Sequence, residues 1–288
     1  MEYSQFETEL KRALTNDATS KLIKEIINKP FNFVSPTNPF DVKTKIKQSF
    51  LKHQERIYEK FIQYCAKRLI TQYGFSLQRS NFRYNLPLKE GQHLGDIPEQ
   101  VIINASFIFR LNNNSTKDEP TDMFVVYLRK RDCYSHKAMK KTCENIIKQL
   151  EALKIIYPKM NIKGALWFLD NDYIKNIRLF NNFYYEQVDL RPYYGADFFE
   201  ILDKKEDWLK IESFIKKFKE NNQNYFSKMP DLDQSDEALR ALLYLEKSEW
   251  TKLNSNKEIY RNIKENIFNL NDKNSNLFKA IAKRNKSY

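Results

Sequence analysis

The feature that most constrains this chain is one stretch, residues 122–150, DMFVVYLRKRDCYSHKAMKKTCENIIKQL. Residues 123–128 are apolar and rich in Val and Tyr, and β-branched and aromatic side chains pack well on a pleated surface, so a buried strand is expected there. The strand passes directly into a cationic turn, Arg129, Lys130 and Arg131, and then into a helix expected over residues 138–153. From Arg129 to Lys148, seven Lys or Arg stand against two acids, Asp132 and Glu144. Such an imbalance on one strand, turn and helix is the footprint of a phosphate-contacting surface. A solvated rim at the end of a buried strand is the plainer alternative.

The rest of the chain favours a helix-rich globular fold with a short sheet. Its 288 residues hold one large domain with appendages or two small ones, and a 41% hydrophobic content with 30% charge fits a folded, soluble chain. A formal charge of +12 suits a polyanionic partner better than an acidic substrate. Cys65, Cys133 and Cys143 lack CxxC spacing and His53, His93 and His136 are scattered, so neither a zinc site nor a disulfide framework is expected. The polar amino terminus does not look like a signal peptide and no apolar run reaches bilayer length, so a cytoplasmic protein with no membrane partner is expected.

Helical spacing of Phe6, Leu10, Leu14, Leu22, Ile23, Ile26 and Ile27 predicts one or two helices over residues 3–28, broken near 15–19. Pro30, Pro36 and Pro39 predict a loop. A long helix over 42–73 follows from the stripe of Ile46, Phe50, Ile57, Phe61, Cys65, Leu69 and Tyr73, closed by Gly74. Extended chain is expected over 75–88, strands over 101–111 and 162–169, and a turn at Pro192 and Gly195. Helices are predicted over 208–221 and 230–252, with a helical tail from 257 to 286. The order strand, loop, strand, helix, strand outlines a mixed sheet with a helix on one face. Three regions are expected, within one compact unit: helical 1–80, an α/β core over 81–200 and helical 201–288.

No phosphate-binding Gly-rich loop, nucleophile elbow or HExxH sequence occurs. The strand, basic turn and Lys-rich helix of residues 123–150, preceded by the strand at 101–111, resemble the core of type II restriction endonucleases of the PD-(D/E)XK superfamily. In one group of these enzymes the second catalytic strand ends in an E-x-K triplet followed by an Arg-Asp pair, a polar turn and a Lys-rich helix. Here that stretch reads Tyr127, Leu128, Arg129, then Lys130, Arg131 and Asp132. The segments YYGADFFEIL from Tyr193, Trp208 with its helix, and PDLDQSDEALRALLYLEKSEWTKL from Pro230 extend the likeness to roughly residues 80–270.

The resemblance implies an α/β (α+β) fold of restriction-endonuclease type, with a mixed central sheet flanked by helices and helical ends. It also implies two carboxylates holding Mg2+ and a Lys orienting the attacking water. The motif departs from that set, because Tyr127 stands for the Glu, Arg129 for the Lys, and the first-strand position near Asn104 to Ser106 has no carboxylate. A phenol is a poor hard ligand at neutral pH, and Arg binds phosphate but does not act as a base. No catalytic residue is therefore fixed.

Sequence-specific binding of double-stranded DNA within a restriction-modification system is the expectation, as a homodimer or beside a catalytic subunit. Arg129, Lys130, Arg131, Lys137, Lys140 and Lys141 would hold phosphates and His136 would reach a phosphate or a base edge. The alternative is an active Mg2+-dependent endonuclease acting through Arg129 and a displaced acid: Asp122, Glu119 or Asp96, with Glu99 also near. A third possibility is a protein-interaction module resting on the aromatic run at 180–199.

Overall fold

The computed structural model describes residues 1–15, 18–87, 98–110, 121–171, 174–182, 189–225 and 228–285. The chain opens with α1 (Tyr3–Thr15), α2 (Ala18–Asn28), α3 (Phe31–Val34) and α4 (Val42–Gln72). Strands β1 (Ser76–Gln78), β2 (Asn81–Asn85), β3 (Gln100–Asn104), β4 (Phe107–Arg110) and β5 (Thr121–Arg129) follow, then α5 (His136–Ile156) and β6 (Met160–Phe168). Next come α6 (Ile177–Asn182), β7 (Asp189–Tyr194), α7 (Asp197–Glu200) and α8 (Lys205–Asn221). The last helices are α9 (Asp236–Leu243), α10 (Lys247–Asn254), α11 (Glu258–Ile267) and α12 (Asn276–Asn285).

The chain divides into two compact units, Met1–Phe61 with Phe214–Tyr288, and Ile62–Ser213. The first is helical and joins the two ends of the chain. Leu22, Ile26, Ile27, Phe33, Ile46 and Phe50 from the amino-terminal helices share one core with Leu242, Leu253, Ile263 and Leu277. The expected loop at the early prolines contains the short helix α3, for which Pro30 supplies an αR residue just before the first turn. The segment 230–252 is two helices, because Glu246 turns its backbone N–H to the Glu249 carboxylate at 3.1 Å and starts α10 afresh. The tail is likewise two helices. Buried Asp233 accepts from Asn269 N at 2.9 Å and Ser275 Oγ at 2.5 Å, which holds the intervening 268–275 out of helix.

The second unit is a mixed sheet ordered β1-β4-β5-β6-β7, with β1, β4 and β5 antiparallel and β5, β6 and β7 parallel. Helix α5 is the crossover between parallel β5 and β6, as a parallel pair requires. One sheet face, carrying Met123, Val125, Tyr127, Ile162 and Leu166, packs on Met139, Cys143, Ile146, Leu150 and Leu153 of α5. Gly164 permits that approach, since a Cβ there would stand 2.5 Å from Leu150 Cδ1. The other face is an aromatic layer in which Trp167 stacks on Phe198 and Trp208 on Phe199, each pair with ring centroids 4.8 Å apart. The described part of the aromatic run thus feeds the core through Tyr194, Phe198 and Phe199.

Two strand expectations are corrected by this sheet. The run 101–111 is two strands: β3 alternates buried and exposed residues and pairs with β2, whereas β4 is buried at three of its four residues and pairs with β1 and β5. The switch falls at Ala105 and Ser106, where Ser106 Oγ accepts from Leu128 N at 2.8 Å. Pro192 lies inside β7 instead of a turn, which β7 tolerates because, among the described residues, it is an edge strand with one side unpaired. Gly195, with φ +49°, makes the turn that follows.

Candidate nucleic-acid interface

Strand β5 is buried from Met123 to Tyr127 and emerges at Leu128 and Arg129. Pairing with the β6 side continues past the strand end, as Leu169 N donates to Arg129 O at 2.9 Å and Asp170 N to Lys130 O at 3.1 Å. The basic turn is therefore fixed to the sheet. Arg129 folds back, donating from Nη1 to Leu128 O at 2.8 Å, while exposed Arg131 is ion-paired to Asp170.

Asp132, the acid inside the basic stretch, points inward and is fully buried. It accepts from Asn176 N at 2.7 Å, Asn176 Nδ2 at 2.6 Å and the Tyr194 hydroxyl at 3.0 Å. Burial, with the hydrogen bond to Asp132, raises the Tyr194 phenol well above its ordinary range, so it stays a donor. Asp132 is thus a clamp between the turn and β7. Its burial keeps this carboxyl group off the surface where the cations emerge.

Helix α5 begins at the Ser135 cap, whose Oγ accepts from Ala138 N at 3.3 Å. Because the apolar stripe faces the sheet, His136, Lys137, Lys140, Lys141 and Lys148 are exposed. Lys137, Lys141 and Lys148 share one face by their spacing of four and seven, with Lys140 beside them. Lys137, Lys140 and Lys141 make no ion pair with the described residues.

The position that the resemblance assigns to a metal-binding Glu is occupied by Tyr127, which is 1% exposed. Its hydroxyl donates to Gln149 Oε1 at 3.1 Å, and the same oxygen accepts from Asn104 N at 2.9 Å. Burial pushes this phenol above its ordinary value against the smaller opposing effect of Arg129. A phenol, an amide and the Ser106 hydroxyl, each already hydrogen-bonded, do not fit Mg2+, which requires anionic oxygen donors.

Asp122 lies at the far end of β5, about 23 Å from Arg129 at the usual rise per residue. There it accepts from Asn161 Nδ2 at 2.7 Å and pairs with Lys163 at 2.6 Å. It borders a cleft of about 510 Å³ that also involves Phe124, Lys163, Asp189 and Arg191. Glu99 is exposed next to β3, where its carbonyl accepts from Leu86 N at 2.8 Å. Asp96 and Glu119 lie outside the described residues. Among the described residues no three His, Cys, Asp or Glu side chains converge as a metal site, and no helix is long and apolar enough to cross a membrane.

No family model, curated protein or solved structure matches this chain. What the site can do therefore rests on its own chemistry. Charge density alone leads to the basic ridge, but it passes over the β2–β3 ribbon. There Phe82, Tyr84, Val101 and Ile103 turn inward while Asn81, Arg83, Asn85, Gln100, Ile102 and Asn104 face out. The alternation in NFRYN was the available signal.

Proposed function

We propose that this chain binds double-stranded DNA as a restriction-endonuclease-like subunit whose own catalytic position is silent. The observation that carries the reading is the contrast around the end of β5. Lys137, Lys140 and Lys141 stand free of ion pairs with the described residues, while the neighbouring core position holds the neutral Tyr127–Gln149 pair. Free cations on a fixed helix suit phosphates, and a neutral, saturated interior suits no hydrolytic metal. The antiparallel strands leading into β5, followed by a helical crossover to parallel β6, are compatible with the core that the resemblance implies. Cleavage in a restriction-modification setting would then come from a partner subunit carrying the carboxylates.

The test is binding to a 30-base-pair duplex (~30) across salt, with and without Mg2+, followed by inspection of the DNA. Affinity is expected to fall linearly on a log–log salt plot, and the slope to shrink by about 0.9 for each phosphate-contacting Lys removed. The DNA is expected to remain intact. Fragments that disappear in the Glu119→Ala protein would replace the silent reading with an active enzyme, and salt-independent or absent binding would remove the DNA reading altogether.

A further inference from the structure

The β2–β3 ribbon is a two-stranded antiparallel sheet separate from the main one, with Asn81↔Asn104, Arg83↔Ile102 and Asn85↔Gln100 as outward-facing cross-strand pairs. Its inner face joins the core that contains α5, with Val101 and Ile103 buried and Phe82 and Tyr84 packed against the same cluster. The outer face is therefore held rigidly. It contains three Asn, one Gln, one Arg and one Ile, and no acid. Glu99 follows beyond the last pair, and Arg79 precedes β2 with its guanidinium over the Phe82 ring at 5.7 Å.

We infer that this ribbon is the base-reading element, entering the DNA major groove with Arg83, Asn85, Gln100 and Ile102 toward the base edges; the inference rests on the DNA-binding reading above. The major groove is about 12 Å wide and admits a two-stranded ribbon. Arg, Asn and Gln are the side chains that make bidentate contacts there, Arg with guanine and the amides with adenine, while an exposed apolar residue meets the thymine methyl group. Ile102 is 50% exposed at the centre of the face, directly across from Arg83. Arg83 makes no ion pair or hydrogen bond with the described residues, so its fork is available.

Gln100 Nε2 donates to Asn85 Oδ1 at 3.1 Å. That bond couples the two amides and leaves the Asn85 NH2 as a donor and the Gln100 carbonyl oxygen as an acceptor without a further hydrogen bond to the described residues. A donor beside an acceptor matches adenine N7 and N6. Alternate residues on a strand lie about 6.8 Å apart, close to two base-pair rises of about 3.4 Å, so Arg83 and the Asn85–Gln100 pair address positions about two base pairs apart.

The experiment is selection of bound sequences from a randomised duplex library with the full chain, repeated with Arg83→Lys, Asn85→Ala and Lys137→Ala/Lys140→Ala/Lys141→Ala proteins whose melting is checked first. The parent protein is expected to enrich a motif containing a G·C and an A·T pair. Arg83→Lys keeps the charge but loses the fork, so preference for the guanine should fall tenfold or more (~10) while non-specific affinity holds within about twofold. The triple Lys variant should weaken all sequences alike. If Arg83→Lys and Asn85→Ala enrich the parent motif unchanged, or if the parent binds with no preference, the ribbon is not the reader although DNA binding stands. If the parent does not bind DNA, both readings fall together.

Discussion

The two ends of β5 carry charge and use it in opposite ways. At the start of the strand Asp122 is matched by Lys163 and Asn161 of β6, and Asp189 by Arg191 within β7, so acids and bases neutralise each other locally. At the other end Asp132 and Asp170 are committed to architecture, while Glu144 stays exposed on α5. Asp132 is buried under Asn176 and Tyr194, Asp170 holds Arg131, and Lys137, Lys140 and Lys141 are left facing solvent.

The strongest way to break this contrast is Asp132→Ala. It leaves the buried Asn176 N–H and the Tyr194 hydroxyl without their acceptor, and should destabilise the protein by about 3–5 kcal/mol. Denaturant unfolding measures it. A loss under about 1 kcal/mol would mean that the clamp does not hold the turn. Next is the ridge itself: Lys137→Glu/Lys140→Glu/Lys141→Glu should weaken DNA binding about a hundredfold or more, at about 1 kcal/mol per site, while exposed positions leave melting nearly unchanged. Unchanged binding would return the ridge to a solvated rim. Smaller again is Tyr127→Phe, which removes one hydrogen bond to Gln149 but leaves Asn104 N bonded to the same oxygen. A loss of about 1 kcal/mol is expected in thermal or denaturant unfolding, with DNA binding intact.

Much of this arrangement was visible in the sequence wherever one local pattern decided it. The apolar steps of α4 and the Val- and Tyr-rich run of β5 correspond to elements at the expected places, and α5 covers the helix expected over 138–153. Met139, Cys143, Ile146 and Leu150 of α5 are buried, and Lys137, Lys140 and Lys141 are exposed. Distant partners were not legible. Asp132 looked like a surface acid because Asn176 and Tyr194 lie 44 and 62 residues further on, and 101–111 looked continuous because both halves are apolar although they pair with different strands. Pro192 suggested a turn, since edge position is a property of the sheet and not of the segment.

The smallest expected effect lies at the matched end, and there a null result is informative. Lys163→Met keeps most of the aliphatic length and removes the ammonium, which pairs with Asp122 and lies 5.6 Å from the centre of the Phe124 ring. The pair is partly exposed and Asn161 still donates to Asp122, so stability should change by less than about 1 kcal/mol. The cation already has a partner, so DNA affinity and its salt slope should match the parent protein. If removing Lys163 instead lowered the salt slope by about 0.9, as loss of a phosphate contact does, this end of β5 would also face the duplex. The distinction between matched and unmatched ends would then fail as a guide to where nucleic acid sits.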